Sequence, residues 1–164
     1  MASLPDVAQP APPFHAPQTD GPAVSLTDFA GQWLVLYFYP KDNTPGCTTE
    51  AKDFTDQRAA FQDLGAQVVG VSPDSIQSHA KFTTKHDLKL TLLSDPEHEI
   101  AEAYGVWGLK KFMGKEYMGI IRSTFLINPE QNIAQVWTKV RTKGHAIAVL
   151  DALKTHQNGA QVEG

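Results

Sequence analysis

The chain has 164 residues, 41% of them apolar, which suits one domain with a real core and is short for two. A net charge of −4 argues against a nucleic-acid or anionic-membrane surface, since those partners demand clustered Lys and Arg. The single cysteine rules out an internal disulfide framework.

Residues 1–22 hold Pro5, Pro10, Pro12, Pro13, Pro17 and Pro22, more than half of the 11 prolines. Residues 1–12 are therefore expected to be extended or disordered, residues 13–156 to form the domain, and residues 157–164 to be a flexible tail. Met1 to Asp6 lack the basic and apolar regions of a signal peptide. No apolar run approaches the eighteen or so residues of a membrane span, so a soluble, cytoplasmic protein is expected.

Phe14 is placed to anchor an edge strand. Val24, Leu26 and Phe29 lead through Gly31 into the apolar run from Trp33 to Tyr39, whose aromatic and β-branched content reads as a buried strand. Pro40 cannot continue a ladder, so the chain leaves the sheet there. Beyond the turn residues Pro45 and Gly46, the residues Cys47, Ala51, Phe54 and Phe61 share one helical stripe. That spacing predicts a helix from about Thr48 to Leu64, stopped by Gly65.

Gln67 to Val71 reads as a buried strand. Ser72-Pro73-Asp74 then reads as a helix start, with Ser72 as the N-cap, and carries the chain to about His86. Leu92-Leu93 is a short strand, and Ser94-Asp95-Pro96-Glu97 a second cap before Ile100, Ala101 and Tyr104. The stretch from Val106 to Gly119 has no clear period and reads as a loop. Its lysines, Lys110, Lys111 and Lys115, read as solvated. Ser123 to Ile127 and Ile133 to Trp137 flank a turn and read as a hairpin. Ala146, Val149, Leu150 and Leu153 place one face of a last helix in the core. The order implies helices on both faces of a mixed sheet, an α/β arrangement that suits a thioredoxin-like fold.

A free cysteine is most often a small core hydrophobe. Cys47, however, follows a Thr-Pro-Gly loop and stands in the first turn of a helix, where unpaired backbone N–H groups and the positive dipole end favour an anion. That place suits a nucleophile better than packing.

Pro40, Thr44 and Cys47 fit the Pro-x-x-x-Thr-x-x-Cys motif, and the stretch from Tyr39 to Glu50 resembles the peroxiredoxins, in their peroxiredoxin Q, or bacterioferritin-comigratory, branch. The likeness continues through Val71 to Ser75, Leu93 to Asp95 and Arg122 to Ile127, and covers roughly residues 20–155. It implies a thiol peroxidase, with hydrogen peroxide or alkyl hydroperoxides as substrates and a sulfenic acid on Cys47. Such proteins are often monomers, and neither a cofactor nor a metal is expected.

A thiol of ordinary acidity, pKa about 8.5, is only about 3% thiolate at pH 7, so full ionisation gains roughly thirtyfold, about 2 kcal/mol. That is too little for a peroxidase. Most of the acceleration must come from holding the peroxide and stabilising charge as its O–O bond breaks. Candidate groups are the N–H groups around Gly46 and Cys47, the Thr44 hydroxyl, and a guanidinium, whose fork can hold thiolate and peroxide oxygen together. The resemblance assigns the guanidinium to Arg122, at the start of a strand expected to pair with that at Trp33. Pro40 would shield the sulfur. Glu50, one turn beyond Cys47, either orients the arginine or complements the helix dipole.

In that branch a second, resolving cysteine often stands five residues after the first or in the following helix. Here those positions are Lys52 and Thr83, so the sulfenic acid needs an external thiol: thioredoxin, glutaredoxin or a low-molecular-weight thiol. His79 and His86 are spaced too widely for one metal and read as surface residues, and His98-Glu99 lacks the second His of a zinc-protease motif. A different reading is a redox-sensing or holdase-type protein, with Trp107, Phe112, Tyr117 and Met118 supplying apolar contact. A thioredoxin-like reductase is disfavoured, because no Cys-x-x-Cys pair exists.

Overall fold

The computed structural model describes residues 4–163, with side chains described through residue 158. At its centre is β3 (Trp33–Phe38), the run that the sequence marks as buried on both faces. Leu34 through Phe38 are all fully buried, which is why this strand reads as continuously apolar rather than alternating. Around it lie β4 (Ala66–Ser72), β5 (Thr91–Ser94), β8 (Ser123–Ile127) and β9 (Ile133–Thr138), in the five-stranded order β5-β4-β3-β8-β9. The β3–β4 and β4–β5 pairs are parallel, and β3–β8 and β8–β9 are antiparallel. This is the mixed sheet expected of a thioredoxin-like fold.

The pleat sends alternate residues of β3 to two cores. Leu34, Leu36 and Phe38 pack with Phe14, Ile100, Tyr104 and Phe125. Val35, Tyr37 and Tyr39 pack with Cys47, Phe54, Phe61, Phe82 and Leu150. The second face carries α1 (Pro45–Asp56), α2 (Arg58–Asp63), α3 (Ile76–His86) and α5 (His145–Glu163), and the first carries α4 (Glu99–Ala103) and the N-terminal segment. A Cβ on Gly70 would lie 2.8 Å from the Tyr37 ring, so this glycine lets Tyr37 lie across β4.

Near the N-terminus, β1 (His15–Ala16) pairs with β2 (Val24–Ser25), and a 3-10 turn over Leu26–Phe29 follows. Upstream, Ala8 N–H donates to Ile133 O at 2.7 Å and Ala11 N–H to Gln131 O at 2.9 Å, which lays residues 8–11 along the sheet edge. At the other end α5 continues to Glu163, through positions where the sequence suggests a tail.

Two local expectations are corrected, and the cap expected before α4 is present. The single helix expected over residues 48–64 is two, beginning earlier, at Pro45, and interrupted at Gln57. No proline or glycine marks that break; Phe54 and Phe61 are both fully buried on either side of it. Ser72 is not the cap of α3 but the last residue of β4, paired with Ser94; Ser75 caps instead, its hydroxyl oxygen accepting from Ser78 N–H at 3.1 Å. Before α4 the capping group is Asp95, which accepts from Ile100 and Ala101 N–H at 3.2 and 3.0 Å.

The stretch read as a loop is a hairpin, β6 (Trp107–Phe112) and β7 (Lys115–Ile120), turned by Met113 and Gly114 at φ 52° and 80°. Two positive φ values in a two-residue turn match the twist of the strands. Most of its side chains face solvent, so no alternation of polar and apolar residues marked it.

Candidate active site

Thr44 is the N-cap of α1, in extended conformation, and Pro45, Gly46 and Cys47 fill its first turn. Proline suits that first position because its fixed φ is helical and its missing N–H has no partner to lose. The Thr44 carbonyl accepts from Thr48 N–H at 2.8 Å, closing the first turn. The Gly46 and Cys47 N–H groups precede the first intrahelical donor and point out of the helix start.

Arg122 immediately precedes β8, and Val140 N–H donates to its carbonyl at 3.0 Å. The alternation of β8 puts it on the same side as Leu126, which packs in the core beneath α1. Its Nη2 donates to Cys47 Sγ at 3.1 Å and its Nη1 to Glu50 Oε1 at 2.7 Å. One planar fork thus spans two residues one helical turn apart. The guanidinium passes close to Gly46: a Cβ there would stand 3.4 Å from Nη2, at the edge of ordinary contact.

Electrostatics follow from burial. Burial pushes the Glu50 carboxyl up to about 7, and the Arg122 charge and hydrogen bond only partly oppose this. Glu50 Oε2 is buried without a hydrogen-bond partner among the described residues. Burial also works against the guanidinium, but the charges of Glu50 and Cys47 outweigh it and hold Arg122 above its usual value. His145, buried and 2.8 Å from the Thr124 hydroxyl, is lowered to about 4 by burial and by Arg122. It is neutral at pH 7.

Cys47 is 1% exposed, while the Arg122 side chain is 16% exposed. Arg122 is the member of the pair that reaches solvent, at an open depression of about 420 Å³ lined also by Leu109, Lys110, Lys111, Ile121, Lys139 and Val140. Lys110 Nζ donates to Ile120 O at 2.8 Å. Pro40 is half-buried where the chain leaves β3. The Thr44 hydroxyl donates to Lys41 O at 3.0 Å, so its hydrogen is committed to the loop.

The AhpC/TSA family model matches residues 7–136. Peroxiredoxin Bcp of Bacillus subtilis (strain 168) is 52% identical over 149 residues, spanning 91% of this chain and 95% of the relative. The chain is a peroxiredoxin of the peroxiredoxin Q, or bacterioferritin-comigratory, branch. Peroxiredoxin Bcp of Escherichia coli (strain K12) is 44% identical over 146 residues, 89% of this chain and 94% of its own. A solved structure of Xanthomonas campestris peroxiredoxin Q superposes with a TM-score of 0.84 at 43% identity, covering 94% of this chain and 98% of that one. The enzyme class is thiol peroxidase, and Cys47 is the only thiol available to it.

Of the residues singled out from the sequence of this peroxiredoxin, Cys47, Gly46, Glu50 and Arg122 converge. Thr44 caps the same helix, and Pro40 stands two residues beyond the end of β3. Lys52 is exposed and Thr83 half-buried in α3, its hydroxyl oxygen without a hydrogen-bond partner among the described residues. The surface reading of His79 is wrong: the residue is fully buried, bonded to Asp42 and to the Leu93 carbonyl. Its neighbour Ser78, half-exposed, gave no sign of this. The one available signal was the fit of His79, Phe82 and His86 to an inward-facing stripe on α3.

Proposed function

We propose that this peroxidase reduces hydrogen peroxide and organic hydroperoxides through Cys47. The sulfur, as thiolate, attacks the terminal peroxide oxygen: an S–O bond forms, the O–O bond breaks, and the departing oxygen leaves as water or alcohol once protonated. Cys47 is oxidised to the sulfenic acid. An external thiol then displaces water to give a mixed disulfide, and a second thiol equivalent releases reduced Cys47. Lys52 and Thr83 cannot take the part of a resolving cysteine.

The observation that carries the reading is the 3.1 Å contact from Arg122 Nη2 to Cys47 Sγ, with Glu50 holding the other arm of the fork at 2.7 Å. Such a donor stabilises the thiolate and the charge that develops on the peroxide oxygens. The Gly46 and Cys47 amides can donate to the same oxygens, the Thr44 hydroxyl oxygen keeps lone pairs for a peroxide O–H, and Pro40 shields the sulfur. Organic hydroperoxides are included because a Xanthomonas campestris relative, 42% identical at TM-score 0.84, is described by its alkyl peroxide reduction activity.

The reductant is thioredoxin, glutaredoxin or a low-molecular-weight thiol. The enzyme works as a cytoplasmic monomer; among the described residues no helix is long and apolar enough to cross a membrane. The exposed Phe112, Tyr117 and Met118 of the β6–β7 hairpin favour a second reading, in which oxidation of Cys47 switches a binding surface; Trp107, expected beside them, is instead half-buried against the core. Peroxide consumption with each thiol in turn separates the two. Multiple turnovers that vanish in Cys47→Ser support the peroxidase; a single turnover with every thiol favours the switch, and consumption unchanged in Cys47→Ser removes both.

A further inference from the structure

His79 stands in α3, and both of its ring nitrogens face acceptors. Nδ1 is 2.7 Å from Asp42 Oδ2, and Nε2 is 2.9 Å from the Leu93 carbonyl oxygen on β5. Asp42 also accepts from the Tyr39 hydroxyl at 2.6 Å and the Ser78 hydroxyl at 2.8 Å. A carboxylate so placed is an acceptor only, and so is a carbonyl, which leaves both ring nitrogens as donors. With Asp42 as a carboxylate, a doubly protonated ring is the form that satisfies both acceptors, in a pair whose side chains are 0% and 3% exposed.

Burial alone would favour the neutral ring. The hydrogen bond and charge of Asp42, then the Leu93 carbonyl and the charge of Asp74 in the turn after β4, outweigh it and hold the ring's pKa above its ordinary value. A buried ion pair contributes little net stability, because desolvation cancels most of the attraction; what it fixes is geometry.

The geometry fixed here is the loop into α1. Asp42 lies two residues before the N-cap Thr44, and its own N–H donates to Asp74 Oδ2 at 2.7 Å. The next residue, Asn43, has φ 62° and its side-chain oxygen lies 2.9 Å from His86 Nε2 in the last turn of α3. So α3 grips two consecutive loop residues, both within five positions of Cys47.

We propose that His79 is a positioning residue for the peroxide reaction: as an imidazolium it clamps Asp42, and through it the loop that sets the first turn of α1 against Arg122. This rests on the peroxidase reading of Cys47. A neutral ring has one donor and can serve only one of its two acceptors, so the clamp weakens on deprotonation. Because the folded pKa is raised, the clamp is fully made below the ordinary histidine value of about 6.5 and is lost as pH rises through the higher folded value.

The test uses the full chain. On the wild type, ring nitrogen-15 shifts are followed by NMR against pH, and the rate of Cys47 oxidation by hydrogen peroxide is followed by stopped-flow fluorescence in wild type, His79→Gln and Asp42→Asn. The expected ring is doubly protonated at pH 6.5 and titrates above the ordinary value. The wild-type rate is expected to decline on the alkaline side. His79→Gln should be slower at pH 7 by about tenfold to a hundredfold, the scale of a misplaced catalytic group, and should lack that decline. A purely structural role would lower stability and leave the shape of the pH profile unchanged. A ring found neutral at pH 6.5, or variants keeping the wild-type profile, overturns the proposal. If the variants do not fold, the ring titration and the wild-type profile decide it. A wild type that peroxide does not oxidise sinks the peroxidase reading instead, and the ring titration still reports on the clamp.

Discussion

Arg122 Nη2 lies 3.1 Å from Cys47 Sγ, although the two residues are 75 positions apart in the chain. The contact exists because β3 pairs with β8 in antiparallel register, with Phe38 opposite Ser123, so the residue before Ser123 is carried to the end of β3 from which the chain turns into α1. The sheet, rather than the loop, brings the cation to the sulfur.

Replacing that cation is the first prediction. Arg122→Ala should lower the rate of Cys47 oxidation by roughly 10²–10³, the usual cost of a lost charge-stabilising donor. Arg122→Lys should recover only part of it, since an ammonium cannot bridge Sγ and Glu50 Oε1 with one rigid fork. Stopped-flow kinetics at pH 7 measure both; a rate within threefold of wild type in Arg122→Ala contradicts the assignment.

Glu50 predicts a pH dependence. Its folded value of about 7 lies above the ordinary 4.5, so the native state binds this proton more tightly than the unfolded chain. Its contribution to stability is fully present below pH 4.5 and is lost as pH rises through about 7. Activity should run the other way, rising through the same range as the carboxylate forms and orients Arg122. Glu50→Gln should flatten both slopes, which chemical denaturation and oxidation rates measured from pH 4.5 to 8 will reveal. A full-strength activity rise in that variant assigns the limb to another group.

The packing beneath the site gives a stability prediction. Phe54 is fully buried, with its ring stacked 4.8 Å from that of Tyr37. Phe54→Ala should cost about 3–5 kcal/mol, the range for truncating a buried aromatic. Urea denaturation tests this, and a loss below 1 kcal/mol would mean that α1 is not anchored there.

Thr83 gives a prediction of opposite sign. Its hydroxyl oxygen is buried with no hydrogen-bond partner among the described residues. Thr83→Val keeps the shape and removes the unpaired group, so it should stabilise the fold by about 1 kcal/mol with peroxide oxidation unchanged. An unchanged or lower midpoint in urea would show that the hydroxyl is paired in solution.

Much of the site was legible in the sequence because its determinants are local. Pro40 ends a strand, Pro45 and Gly46 start a helix, and Cys47 follows directly. Arg122 needed the resemblance to known peroxiredoxins, since nothing local distinguishes it from Arg58 or Arg141. The tether of Asp42 to His79 was not legible, because it joins residues 37 positions apart through a buried histidine that composition counts as polar. The β6–β7 hairpin was missed because periodicity reports burial, and its side chains from Leu109 to Met118 are mostly exposed. The Thr44 hydroxyl was placed near the sulfur by spacing alone, and its donation to Lys41 O depends on a loop conformation that spacing does not encode.

The central claim is that Cys47 is the atom peroxide oxidises and that the product is a sulfenic acid. Treating the wild-type protein with one equivalent of hydrogen peroxide in the presence of dimedone, then mapping the adduct by peptide mass spectrometry, tests it most directly. The account predicts loss of the peroxide and a dimedone adduct on Cys47. Peroxide consumed with Cys47 still reduced and unmodified, or Cys47 left reduced beside unspent peroxide, would contradict it.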